Sequence, residues 1–444
     1  MFLNKIIKKV VPELLIDWYH CFFPLLGAIV YRFPSKKLKV IGVTGTNGKS
    51  TTVALITAVL EEAGFKVASI SSIRFKIKDK EWSSPLKMTM PGRMVIQKFL
   101  RQAVNSGCQY AVLEVSSEGI KQHRHFFINF NTAVFTNLEP EHIERHGSFD
   151  NYRKAKEKLF QATNGFHIVN VDDKNAEYFL KYPAEKKYGF GLEISNFSNF
   201  QKIIAENVLV MGDGSIFLVS GTEIKLKLLG EFNIYNALAA ICVGLSQGVD
   251  LSVCKSALEK VNGIPGRMQL VIPEPFKFFV DYAVTPEALE KVYQTLQNSP
   301  SKADLCPRPI ILGVKPLAGK LICLLGACGG GRDKWKRPIL GKIASQYCDE
   351  IILTNEDPYD ENPLEIIKNI ESGFSQIPNI YKIIDRREAI RKAISLAKSG
   401  DVIISTGKGS ELWMCLANGK KIPWNEAEIA REEFEKNKKQ KCDK

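Results

Sequence analysis

Residues 44–51 read Thr-Gly-Thr-Asn-Gly-Lys-Ser-Thr, a run whose residue types and spacing suit a polyphosphate. Gly45 and Gly48, on either side of Thr46 and Asn47, let the backbone turn its N–H groups toward an anion. A helix starting just after them adds the positive end of its dipole. Lys49 can reach the β- and γ-phosphates of a nucleotide, and the hydroxyl of Ser50 or Thr51 is the kind of oxygen that Mg²⁺ accepts as a ligand. The common spacing of such loops asks for glycine at position 43, where this chain has valine. The reading therefore leans on the elements around the loop.

Those elements are legible. Val40–Val43 is a short apolar run that predicts a strand, and Thr51–Ala63 follows with a helical pattern. Further strands are expected at Tyr110–Val115, Thr132–Thr136 and Ile168–Val171, a hairpin region at Ile216–Lys227, and an alanine- and leucine-rich helix at Asn233–Ser246. Residues 261–267 concentrate turn formers and predict a link between domains. Beyond it, strands at Phe278–Tyr282, Leu321–Leu325, Ile351–Thr354 and Val402–Ser405 alternate with helices at Pro286–Gln297, Lys336–Gln346, Pro363–Ile370 and Arg387–Lys398. Ser299–Lys320, with four prolines, predicts an irregular surface excursion. This alternation predicts an α/β chain: a P-loop-type central domain with a mainly parallel sheet over 39–262, and a C-terminal Rossmann-like α/β domain over 263–444. A short apolar and basic segment, 1–38, precedes them.

At 444 residues the chain has room for two or three cores. The formal charge of +13 admits nucleic acid, an anionic membrane or polyanionic small substrates. No basic motif interleaved with aromatics is present, which disfavours nucleic acid. Ten cysteines without a CxxC pair predict isolated core thiols in a reducing cytoplasm. The run Leu14–Phe33 is apolar but broken by Asp17, His20, Pro24 and Arg32. It predicts a helix packed on the protein, with peripheral membrane contact through residues 14–33 as the second reading.

The octapeptide resembles the ATP loop of the Mur ligase superfamily, and further segments extend the resemblance in family order. Leu113-Glu-Val-Ser-Ser-Glu-Gly-Ile-Lys-Gln-His-Arg124, Phe135-Thr-Asn-Leu-Glu-Pro-Glu-His-Ile-Glu-Arg-His-Gly147 and Tyr152–Phe160 are similar to the ligases that add the third residue of the peptidoglycan stem peptide. So are Gly230–Asn236, Gly263–Met268, Asp281–Pro286, Gly329–Pro338, Asn355–Tyr359 and Gly407–Glu411.

The resemblance implies an enzyme that activates a carboxylate with ATP and two Mg²⁺ ions, then joins it to an amine. Glu114 and His142 would be metal ligands with Ser50 and Thr51. Lys156 would carry a CO₂-derived carbamate, although by itself it reads as one more charge on a solvated helix face. Asn233 and Asn236 would orient the adenine side of ATP, and Arg267 and Asp281 would serve as linker arginine and ribose ligand. Thr89, Ser116, Ser117, Gln122 and Arg124 would hold a muramoyl-dipeptide acceptor. Arg332, Glu356, Asp357, Gly407 and Glu411 would hold the incoming amino acid. The chain departs from the family pattern at Val284 and Glu118, each in place of histidine, and in having only 38 residues where the family places its uridine-binding domain. Tyr359 stands where ligases for diaminopimelate have arginine; with Glu356, Asp357 and Glu411 around it, the site predicts lysine or ornithine. A folylpolyglutamate synthase, an amidating ligase subunit for lipid-linked peptidoglycan and a nucleotide-binding scaffold without turnover remain as other readings.

Overall fold

The computed structural model describes residues 13–84, 89–193, 200–297, 319–375 and 379–442. Chain contacts divide it into two compact units. One comprises residues up to 208, 216–226 and 232–261; the other comprises 209–215, 227–231 and 262 onward.

The first unit is organised by a sheet of β1 (Lys39–Thr44), β2 (Val67–Ile70), β3 (Arg74–Ile77), β4 (Lys80–Ser83), β5 (Tyr110–Glu114), β6 (Phe130–Phe135), β7 (Thr163–Asn170), β8 (Lys186–Gly191), β9 (Gln201–Met211), β10 (Gly214–Val219) and β11 (Thr222–Leu226). The order is β11-β10-β9-β8-β7-β6-β1-β5-β2-β3-β4. From β9 to β2 the pairs are parallel, and β3 and β4 close that end antiparallel. The expected 216–227 hairpin corresponds to β10 and β11. β1 lies in the interior of the sheet, and Val40, Ile41 and Val43 are fully buried, as a strand covered on both faces requires. Helix α1 (Glu13–Val30) packs on α3 (Arg93–Asn105), and α2 (Lys49–Glu62) packs on α5 (Phe232–Ser246) and α6 (Leu251–Lys260). Helix α4 (Phe149–Gln161) starts where the Ser148 side chain accepts a hydrogen bond from Asn151 N–H.

The second unit is a six-stranded sheet of β12 (Gln269–Ile272), β13 (Lys277–Val280), β14 (Leu321–Leu325), β15 (Glu350–Leu353), β16 (Asn379–Lys382) and β17 (Val402–Ser405), in the order β12-β13-β17-β14-β15-β16. All its pairs are parallel except β12–β13. Its helices are α7 (Pro286–Gln297), α8 (Lys336–Tyr347), α9 (Pro363–Glu371), α10 (Arg386–Leu396) and α11 (Glu426–Cys442). Arg386, fully buried, pairs with Glu426 at 2.8 Å and donates to the carbonyls of Asn355 and Thr406. One guanidinium thus fixes the loops that follow β15 and β17.

The cysteine expectation needs correction. Cys323 on β14 and Cys348 at the C-terminal cap of α8 form a disulfide, with Cα atoms 6.1 Å apart. They are 25 residues apart in sequence, so no short motif announces them; the helix that returns the chain between parallel strands brings them together. The proline-rich excursion falls almost wholly outside the described residues.

Candidate active site

The phosphate loop joins β1 to α2. Gly45 has φ +151° and Gly48 φ +82°, the latter in the left-handed region that favours glycine. A Cβ at Gly48 would lie 2.4 Å from Asn236 Oδ1. Asn236 also accepts from Thr52 Oγ1 at 3.1 Å and donates to Asn233 at 2.9 Å, so both asparagines belong to the phosphate loop's surroundings. Across the loop, Asn137 Oδ1 accepts from Asn47 N–H at 2.9 Å, and Thr136 Oγ1 donates to the Asn47 carbonyl at 2.7 Å. Lys49, half-buried, donates to the Thr46 carbonyl at 2.8 Å.

Glu114 ends β5, and its register partner Val43 on β1 lies one residue before the end of that strand. The carboxylate is buried and accepts from Ser50 Oγ at 2.7 Å and from Ser72 N–H at 2.8 Å. Ser72 Oγ lies 2.7 Å from Ser50 Oγ. A carboxylate and a hydroxyl meeting beside a phosphate loop form the hard oxygen set that Mg²⁺ takes. The residues present therefore fit such an ion.

Lys156 corrects the surface reading. It lies on α4 but is only 2 % exposed. Its Nζ donates to the Gly45 carbonyl at 2.5 Å and sits 4.5 Å from the centroid of the Tyr152 ring, whose hydroxyl lies 3.0 Å from Thr46 Oγ1. Burial, and then the Lys49 charge, hold its amine well below the ordinary lysine range, against the pull of Glu114 and Glu141. His142 takes a left-handed φ of 56°, and its ring stands 6.2 Å from that of Tyr152. Its Nδ1 is 3.9 Å from Glu118, which also pairs with Arg145 at 3.2 Å. Thr51 is buried in the first turn of α2.

The expected acceptor residues gather on one side of the same unit. The Ser116 hydroxyl accepts from Gly119 N–H, and Ser117 Oγ lies 3.2 Å from His146 Nε2. Arg124, buried, donates to Gln122 Oε1 at 2.6 Å and to the Met90 carbonyl, next to Thr89. Burial, and then the neighbouring Arg93, hold its guanidinium pKa below the ordinary arginine range. Arg93 was not among the expected residues; it donates to the Gln122 carbonyl at 3.0 Å and touches His20 of α1.

In the second unit both oxygens of Asp281 accept backbone N–H groups, from Met268 at 2.6 Å and Ala283 at 2.7 Å. Burial raises this carboxyl above its usual range, offset first by Arg267, which stacks 4.6 Å from the Tyr282 ring. Glu356 is buried and lies against Gly407, where a Cβ would be 2.4 Å from Glu356 Oε2. Burial, then Asp357, raise the Glu356 carboxyl. Lys408, missed in the sequence, is fully buried and pairs with Asp357 at 3.1 Å and Glu411 at 2.6 Å. It offsets two of the three acidic charges. Arg332 is close enough to act on Tyr282, whose hydroxyl lies 3.4 Å from Glu411. Arg337 and Lys334 both pair with Glu361. Asn362, rather than Glu356 or Asp357, caps α9.

Comparison with known proteins matches the family described as "Mur ligase middle domain" to residues 43–244 and "Mur ligase, glutamate ligase domain" to residues 266–409. The chain is 38% identical over 419 residues to a UDP-N-acetylmuramoyl-L-alanyl-D-glutamate--2,6-diaminopimelate ligase of Syntrophomonas wolfei subsp. wolfei, covering 92% of this chain and 80% of that protein. It is 33% identical over 431 residues to a UDP-N-acetylmuramyl-tripeptide synthetase of Roseiflexus sp., covering 91% and 80%. Among solved structures, a UDP-N-acetylmuramoyl-L-alanyl-D-glutamate--2,6-diaminopimelate ligase superposes with TM-score 0.59 at 27% identity, covering 90% of this chain and 79% of that one. Folylpolyglutamate synthase of Mycobacterium tuberculosis shares the fold, with TM-score 0.69 at 16% identity over 87% and 92% of the two chains.

Proposed function

The chain belongs to the Mur ligase family, and from that premise we propose that it joins an amino acid to a muramoyl-dipeptide acceptor, forming ADP, in peptidoglycan precursor synthesis. The observation that carries the proposal is the convergence of Lys49, Ser50, Glu114 and Lys156 on one glycine-bent loop.

In this reading the acceptor's carboxylate attacks the γ-phosphate of ATP, giving an acyl phosphate and ADP. The amine then attacks the acyl carbon and releases phosphate. Loop N–H groups and Lys49 hold the phosphates and offset repulsion between two anions. Ser50, Glu114, His142 and a carbamate on Lys156 are the residues that would hold Mg²⁺, which supplies charge neutralisation at the transferring phosphoryl group. A carbamate forms on a neutral amine, and the burial of Lys156 lowers its amine pKa, which favours that form. Ser116, Gln122 and Arg124 orient the acceptor. A reaction that consumes ATP suits the cytoplasm.

For the amine we propose lysine or ornithine. Tyr359 carries no charge, Arg337 and Lys334 are engaged by Glu361, and Lys408 forms its ion pairs with Asp357 and Glu411 while acting on Glu356 only through its charge. The relatives named for diaminopimelate make meso-diaminopimelate the competing substrate. ADP release with UDP-linked and unlinked muramoyl-dipeptides, each with the three amines at equal concentration, tests both parts. No ADP with any acceptor would refute the ligase reading, and preference for diaminopimelate would refute the choice of amine.

A further inference from the structure

From Cys21 to Val30, helix α1 is apolar on both faces. Pro24, Gly27 and Ala28 are buried, and a Cβ on Gly27 would lie 3.0 Å from Met94 Sδ of α3. The chain after α1 is fastened by Arg101, which donates to the Tyr31 carbonyl at 2.7 Å and to that of Arg32 at 3.0 Å. On the outer side Phe22, Leu25 and Ile29 follow helical spacing and are 38%, 37% and 55% exposed, with Val30 at 54%. Val95 on α3 and Phe127 in the loop before β6 are exposed too. A helix apolar all round ordinarily has both sides covered.

The charge around this face points to what covers it. No aspartate or glutamate occurs in 18–60, 82–113 or 119–138, which contain α1 from Trp18 onward, α3 and the loop bearing Phe127; the two acids of α1, Glu13 and Asp17, lie near its N-terminal end. Among the same residues, Arg32, Lys36, Lys37 and Lys98 are exposed. We infer that the outer face of α1, with Val95 and Phe127, is a docking surface for an anionic phospholipid bilayer. The helix lies in the headgroup region with Phe22, Leu25 and Ile29 inserted, and the cations meet lipid phosphates. No helix among the described residues is long and apolar enough to cross a membrane, so the contact is peripheral. A nucleic acid would satisfy the cations but leave the apolar stripe in water. A symmetric second copy would bring cation against cation.

The inference is independent of the catalytic reading. The test is cosedimentation of the full chain with phosphatidylglycerol or phosphatidylcholine vesicles. The wild-type protein should bind phosphatidylglycerol vesicles, bind phosphatidylcholine weakly, and lose affinity on raising salt from about 0.1 M, where screening extends ~10 Å. The F22E/I29E double variant should bind phosphatidylglycerol at least about tenfold more weakly with unchanged thermal midpoint and ADP release. Three results each overturn the inference: no phosphatidylglycerol binding by the wild type, equal binding by the double variant, or a wild-type dimer that the double variant abolishes. Binding to duplex DNA in preference to vesicles would also overturn it.

Discussion

Replacing Lys156 separates its role in catalysis from its role in the fold. The side chain is 2 % exposed and its amine donates a hydrogen bond to the Gly45 carbonyl, so Lys156→Met keeps the volume and gives up that bond at about 1 kcal/mol. It also removes an amine that burial already disfavours as a cation. The net stability change should therefore stay within about 1 kcal/mol, or roughly 2–4 °C in the melting temperature of a unit this size. Lys156→Ala instead leaves a cavity and should lose about 2–5 kcal/mol. If Lys156 carries the proposed carbamate ligand, both variants should lose ADP formation by at least about a hundredfold. Added formate or acetate should restore part of the activity only in the alanine variant, which has room for a carboxylate where the methionine variant is filled. Thermal melts with coupled ADP release provide the measurements. A methionine variant with near wild-type turnover, or one destabilised by more than about 3 kcal/mol, would refute the reasoning.

Gly48→Ala should weaken ATP binding at least tenfold and cost about 1–3 kcal/mol, because φ is +82° and the new Cβ would meet Asn236; calorimetric titration with ATP decides it, and unaltered affinity contradicts the loop geometry. Cys348→Ala should lower the stability of the second unit by about 3 kcal/mol, the closure entropy of a loop of 25 residues. Two alkylatable thiols at 323 and 348 in the unreduced protein would show that no such crosslink exists. His125 is held down to about 4, by burial first and then by His123. The unfolded chain takes up the proton nearer 6.5, so stability falls as pH drops from 6.5 toward 4. His125→Phe should show a shallower fall in urea denaturation over that window, and an unchanged slope would remove His125 as the cause.

The strands and helices were legible because two strong periodicities alternate along the chain, and the octapeptide at 44–51 is flanked as a phosphate loop requires. What the sequence hid are groups whose meaning depends on burial. Lys156 on an amphipathic helix and Lys408 beside two glycines look like surface charges until the sheet covers them, and Lys408 then changes the charge count around Asp357 and Glu411. Arg93 and His20 were invisible as a pair because they lie 73 residues apart. The Cys323–Cys348 link was missed for the same reason.

The position of β1 also affects how the protein is made. Its two neighbours are β5 and β6, so Val43 can meet Glu114, and Thr44 can meet Phe135, only once synthesis has passed residue 114 and residue 135 respectively. Until then Val40–Val43 leaves the ribosome as an apolar strand without partners, and the nucleotide loop at its end has no form. Such distant pairings are slow to close. ATP therefore cannot assist the early steps of folding, because the loop that would hold it is completed only after much of the sheet.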